Sequence, residues 1–236
     1  MIISIKNTIS ASSNPASTWL PTDVNGLTIW HRNGTDNLDD GETAVEQWHD
    51  SSGNDNHAIQ ETGGNQAQAY KGGLDFDGTD DYYEYDVDMN IATGDAYTLA
   101  IVYELDDNSV KSCIFSKDHN LTFIEFFDAD TIRINYDGND LTMSGGTHTA
   151  GSARILVVTR DSNGDHRLYE AGSDTSITTG NQDGVAIWQN IGIRNDASRA
   201  FNGKIYEVMV WDARNLKNTD LTNLNTYLTN VLDSLP

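Results

Sequence analysis

The residues best suited to chemistry crowd into one short stretch. Tyr83-Glu84-Tyr85-Asp86-Val87-Asp88-Met89 places Glu84, Asp86 and Asp88 at every second position. In an extended strand residues i, i+2 and i+4 share a face, so these three carboxylates would line one surface. Cleaving a glycosidic bond with retention needs two carboxyl groups about 5 Å apart, one as nucleophile and one as proton donor. The run offers that spacing, yet it follows directly on the Asp80-Asp81 turn instead of lying mid-sheet. Glu125-Phe126-Phe127-Asp128 has the wrong period. The preferred account is a polar strand face on a very acidic protein, with no catalytic residues assigned.

Two turns concentrate oxygen ligands. Asp77, Asp80 and Asp81 crowd one, and Asp50, Asn54 and Asp55 another. Calcium takes carboxylate and carbonyl oxygens in such loops, so Asp77, Asp80 and Asp81 form the candidate metal site. Calcium is an optional cofactor in this reading and none is required. The competing and preferred role is capping of backbone amides by short carboxylates. Neither turn matches an EF-hand loop, and His49 and His57 form no zinc pattern, so both histidines are assigned to packing or surface.

Aromatic rings that stack on pyranoses are the third possibility. Trp30, Trp188 and Trp211 sit among strand-patterned apolar residues and are expected in the core. The candidate glycan-binding residues are Tyr82, Tyr83 and Tyr85. Cys113 is the only cysteine and is expected to be a small buried residue without a disulfide. There is no Gly-x-Ser-x-Gly elbow and no phosphate-binding glycine loop.

The elements that must position these groups are mostly short strands. Leu27–His31 follows an Asn25-Gly26 turn, and Tyr97–Tyr103 is a near-continuous apolar run suited to a strand covered on both faces. Leu121–Phe127 and Thr131–Tyr136 flank Asp128-Ala129-Asp130 as a hairpin, and Asp137–Asp140 closes another. Ala153–Thr159 is a second buried strand, and Asn163-Gly164-Asp165 turns into His166–Tyr169. Ile187–Ile193 precedes Phe201–Trp211, where alternation puts Ile205, Glu207 and Met209 on one face and Tyr206, Val208 and Val210 on the other. Leu221, Leu224, Tyr227, Leu228, Val231, Leu232 and Leu235 recur at helical spacing, with Asn218 or Thr219 as cap, predicting a terminal helix across one end of the sandwich.

The formal charge of the 236-residue chain is −22, with 28 Asp against 8 Glu among its 36 acidic residues. That field repels phosphates, so nucleic acid is excluded as a partner. No apolar run approaches the ~20 residues of a membrane span, so no membrane insertion is expected. Residues 1–18 are small and polar and read as an arm or linker ahead of a domain over 19–236. The first residues carry no secretory pattern.

Four segments carry a family resemblance. They are Trp48-x-Asp50-x-Ser52-Gly53 with Asn56-His57-Ala58; Leu74-Asp75-Phe76-Asp77-Gly78-Thr79-Asp80-Asp81-Tyr82; His166–Gly172; and Phe201–Val208 before the helix. In order and type they resemble laminin-G-like domains of the concanavalin A-like lectin/glucanase superfamily, over about residues 25–233. The resemblance implies an all-β jelly-roll sandwich of about a dozen strands in two antiparallel sheets, with one short C-terminal helix. Laminarinase-like relatives place Glu, Asp and Glu on alternating strand positions, and the final Glu is missing here. Stand-alone domains of this kind are seen among phage structural proteins. The resulting expectation is a non-enzymatic bacteriophage virion component (capsid decoration, fibre or tail). It would assemble with itself, as a trimer or capsid-anchored multimer, or with other virion proteins, and bind host surface glycans. It would be made in the host cytoplasm and located in the virion. The alternatives are a carbohydrate-binding module of a secreted, extracellular bacterial protein and, behind it, a divergent glycoside hydrolase.

Overall fold

The structure, a computed structural model, describes residues 19–34, 44–117, 122–170, 172–173, 176–194 and 199–235. The 1–18 arm lies outside the described residues. Strands β1 to β5 are Leu27–His31, Gln47–Trp48, Ala58–Ile59, Gln68–Tyr70 and Gly73–Asp77. Tyr83–Ile91, Tyr97–Leu105, Ser112–Ser116, Thr122–Asp128 and Thr131–Tyr136 form β6 to β10. The last six strands, β11 to β16, are Asn139–Ser144, Arg154–Arg160, Asp165–Glu170, Thr178–Asn181, Ala186–Ile191 and Asn202–Asp212; helix α1 is Thr219–Ser234.

These strands make two antiparallel eight-stranded sheets. The first runs β14-β13-β12-β7-β16-β5-β4, with β1 also pairing β16; the second runs β11-β10-β9-β8-β15-β6-β3-β2. The expected jelly-roll sandwich is therefore present. Its strand number exceeds a dozen because two- and three-residue edge strands such as β2, β3 and β4 are too short to show a period.

One core lies between the sheets and a second lies under the helix. Between the sheets pack Phe76, Tyr83, Tyr85, Tyr97, Leu99, Ile101, Ile124, Phe126 and Trp188, among others. The opposite faces of β7, β12 and β16 supply Ala100, Val102, Ile155, Val157, Met209 and Trp211, which Leu221, Leu224 and Leu228 of α1 cover. This explains why Tyr97–Leu105 and Arg154–Arg160 read as continuous apolar runs, since both faces of each are buried. The helix thus lies on the outer face of the first sheet, correcting the expected position at an end. Asn218 precedes it with φ 53° and makes no side-chain cap.

The face assignment along β16 also changes. Its register against β7 shifts between Ile205 and Glu207, the mark of a bulge. Ile205, Val208 and Val210 consequently enter the inter-sheet core, while Tyr206, Met209 and Trp211 face the helix. Glu207, 0 % exposed, joins the helix side, where it accepts hydrogen bonds from Trp30 Nε1 at 2.7 Å, Tyr227 Oη at 2.6 Å and the Asn33 amide at 3.1 Å.

Candidate functional site

Strand β6 positions the candidate chemistry. Tyr83, Tyr85, Met89 and Ile91 point into the inter-sheet core, so Glu84 and Asp86, which alternate with the two tyrosines, project from the opposite face. The neighbouring strand β15 is out of step with β6. Trp188 pairs with Met89 but Asn190 pairs with Glu84, so residues 85–88 of β6 stand opposite Gln189 alone. This excursion leaves Val87 67 % exposed and brings Asp88 to an ion pair with Lys117. Asp88 keeps the outward alternation of Glu84 and Asp86 but lines a different depression, with Val87 and Met89, while Glu84 and Asp86 share one.

Glu84 and Asp86 instead line a groove with residues distant in sequence. Two adjoining depressions of about 470 and 230 Å³ share Tyr82 and Glu84. The larger adds Gln60, Glu61, Asp86 and Gln189; the smaller adds Asn65, Asp80, Asn190 and Arg194. Pairing brings them together, because Ile59 of β3 and Asn190 of β15 both lie opposite Glu84. The loop after β3 is pinned through Gln60, which donates from Nε2 to the Tyr82 carbonyl at 3.1 Å and accepts the Thr62 amide at 2.9 Å. Asn190 is only 5 % exposed, and its Oδ1 has no hydrogen-bond partner among the described residues. Arg194 lies over the Phe123 ring, 4.5 Å from its centroid.

Of the three candidate glycan-binding tyrosines, Tyr82 and Tyr85 line this groove, Tyr82 from a half-buried position and Tyr85 as a buried residue at its floor. Tyr83 and Tyr85 are corrected to core residues, 0 % and 2 % exposed. Tyr83 donates its hydroxyl to the Val45 carbonyl at 2.7 Å. Tyr85 donates to His31 Nε2 at 3.0 Å, and the His31 ring stacks between Trp48 and Tyr85 with centroids 4.9 and 5.6 Å away. Neither ring has a face free for a sugar. Trp30, Trp188 and Trp211 are buried as expected.

The structure does bring Asp77, Asp80 and Asp81 together, with one carboxylate oxygen of each within 4.8 Å of the others. Hard oxygen donors suit calcium. Two of the carboxylates already serve the turn, however. Asp77 Oδ1 accepts the amides of Thr79 at 2.7 Å and Asp80 at 3.3 Å, and Asp81 Oδ2 accepts the Asp77 amide at 2.9 Å. Burial pushes the Asp81 carboxyl up to about 6, and repulsion from Asp77 and Asp80 adds to this against the stabilising Asp77 amide. The turn is accounted for without an ion. The Asp50 turn is similar: Asp50 accepts the amides of Trp30, Ser52 and Asn56 at 2.8, 2.9 and 3.1 Å, fastening it to β1.

Sequence reasoning found Tyr82, Glu84 and Asp86 but missed Glu61, Gln189, Asn190 and Arg194. No linear spacing connects these to β6, because strand pairing alone makes them neighbours.

The fold defines a two-sheet jelly roll carrying a helix on one outer face and a polar groove on the other. A family model described as the concanavalin A-like lectin/glucanases superfamily matches residues 77–221, and the chain belongs to this family. Among solved structures it is similar to Trypanosoma rangeli sialidase in complex with sialic acid, at 14 % identity and a TM-score of 0.57. That likeness covers 88 % of this chain and 34 % of the sialidase. It is likewise similar to the binding domain of Paraclostridial Mosquitocidal Protein 1, at 14 % identity and a TM-score of 0.57, over 86 % of this chain and 52 % of that one. At such identity these likenesses concern the fold. No curated protein matches the chain in sequence.

Proposed function

We propose that this domain is a non-enzymatic glycan-binding head. The observation that carries the reading is the groove. The sheet face is interrupted by the β6 excursion, and Tyr82 sits there among the amides of Gln60, Asn65, Gln189 and Asn190. An aromatic ring beside convergent hydrogen-bonding side chains is the chemistry that a pyranose, apolar on its faces and hydroxylated at its rim, recognises. The fold neighbours are consistent with it, one being a binding domain and another a sialidase holding sialic acid.

Exposure argues against catalysis. Glu61, Glu84 and Asp86 all stand open to solvent. A glycosidase acid needs a dry setting that keeps its proton near neutral pH. A glycan array with the wild-type protein and Tyr82→Ala tests the proposal. Binding that Tyr82→Ala abolishes supports it, and silence across the array removes it. Sugar release from a polysaccharide panel, lost in Glu84→Gln, would instead make the chain a hydrolase. The finer part of the reading places this head on a bacteriophage virion. Mass spectrometry of purified particles tests it, and absence from the particle would leave the module of a secreted protein.

A further inference from the structure

Four Asn-Gly pairs occur in the chain: Asn25-Gly26, Asn33-Gly34, Asn163-Gly164 and Asn202-Gly203. An asparagine before glycine is prone to cyclise, because the glycine amide nitrogen has no Cβ beside it to hinder approach. That nitrogen attacks the side-chain carbonyl carbon of the asparagine. A new C–N bond closes a five-membered succinimide, and the side-chain nitrogen leaves as ammonia. Water then opens the ring at either carbonyl, giving aspartate or isoaspartate. Water is the only co-reactant. A glycine N–H already engaged in a hydrogen bond must first be released by local opening, which slows the step.

The fold separates the four pairs. The Gly34 amide donates to the Gly72 carbonyl at 2.8 Å, and the Asn33 side-chain amide donates to the Lys71 carbonyl at 2.9 Å. Gly164 is buried, and its amide donates to the Asp161 carbonyl at 3.0 Å. Gly203 is buried within β16 between β5 and β7, and the Asn202 carbonyl accepts the Asp106 amide at 3.0 Å. Asn25-Gly26 is different. Both residues are exposed, and neither the Asn25 side chain nor the Gly26 amide makes a hydrogen bond among the described residues. Gly26, at φ 94°, is anchored through its carbonyl instead, which accepts the Asp212 amide at 2.8 Å and the Thr28 hydroxyl at 3.2 Å. The attacking nitrogen is left free.

We infer that Asn25 is a self-modification site, converting through a succinimide with Gly26 to aspartate and isoaspartate, while the fold holds back the other three pairs. The inference is independent of the glycan reading, since Asn25 does not line the groove. Either product adds a negative charge at the entry to β1. Isoaspartate also lengthens the main chain by one methylene just before the Gly26 carbonyl, which ties this entry to the end of β16. Its freed α-carboxyl group, on an exposed turn, suits an isoaspartyl methyltransferase that esterifies it with the methyl group of S-adenosylmethionine.

The full chain is aged at mildly alkaline pH, one portion native and one in concentrated urea. Peptide mapping by mass spectrometry then follows the amide-to-acid conversion at each asparagine. In the native protein Asn25 is expected to convert at least about fivefold faster than Asn33, Asn163 and Asn202, the protection that one backbone hydrogen bond lends. In urea, with all four glycine amides released, the four rates should converge. Methyltransferase labelling of the aged native chain should fall on the peptide holding Asn25 and vanish in Asn25→Ser. Conversion of any other pair at the native rate of Asn25, or an Asn25 left intact in the native protein, would overturn the inference. A spread of rates in urea equal to the native spread would overturn the role given to the fold, as would labelling that survives Asn25→Ser.

Discussion

Removing the Tyr227 hydroxyl tests the join between helix and sandwich. Glu207 is fully buried on β16, and its carboxyl is held by the Trp30 indole, the Asn33 amide and the Tyr227 hydroxyl at 2.6 to 3.1 Å. Burial raises the pKa of this carboxyl while those three donors oppose the rise. Tyr227→Phe keeps the ring packing against Trp19 and Trp30 and deletes one donor to a desolvated carboxylate. Leaving a buried polar group short of a hydrogen bond costs about 1–3 kcal/mol, so the variant should lose about 2 kcal/mol. Urea unfolding should show the loss as a lower midpoint with an unchanged slope. Glu207→Gln paired with Tyr227→Phe completes a double-mutant cycle, expected to show coupling of at least ~1 kcal/mol. Additive effects, or a Tyr227→Phe loss under about 0.5 kcal/mol, would refute the claim that this carboxylate fastens the helix.

Three further outcomes follow from the core and the turns. Asp81 titrates near 6 in the folded protein against an ordinary 3.8, so its contribution is complete below 3.8 and is lost as pH rises through about 6. Asp81→Asn should therefore gain on the order of 2 kcal/mol at pH 8 and little at pH 4, with calcium leaving the wild-type midpoint unchanged; a rise of several degrees in millimolar calcium would mark a bound ion. Gly203→Ala should cost roughly 3 kcal/mol or more, since at φ 140° a Cβ would meet the Glu104 carbonyl oxygen at 2.0 Å, whereas Gly138→Ala, in open space at φ 84°, should cost about 1 kcal/mol; equal midpoints would deny the close approach of β16 to β7. Cys113 is fully buried with its thiol pushed well above the usual range, so a disulfide reagent should label it only in denaturant, and rapid labelling of the native protein would contradict its place in the sheet.

Local pattern made much of the architecture legible. The Asp137-Gly138 pair takes φ of 48° and 84° in a two-residue hairpin, as the turn chemistry required. The double-sided burial of Tyr97–Leu105 and the apolar stripe of α1 were readable for the same reason, a period contained within one element. What escaped depended on irregularity or on pairing. The bulge at Tyr206 reversed half of the face assignment on β16. The register break between β15 and β6, and the different depression that Asp88 lines, had no sign in the linear spacing. The burial of Tyr83 and Tyr85 was visible in principle, because they share odd positions with Met89 and Ile91, but the density of aromatics and acids drew attention to function instead. Groove residues such as Glu61 and Asn190 had no signal in the linear chain.

Placing the helix across the first sheet has an orienting consequence. Trp19 packs on Tyr227 of that helix, and Leu235 packs beside the same apolar layer. Both ends of the described domain thus emerge on one side of the molecule, while Tyr82 and Glu84 open on the other. Anything tethered at either end would stand behind the sandwich like a stalk, with the groove-bearing face looking away from it.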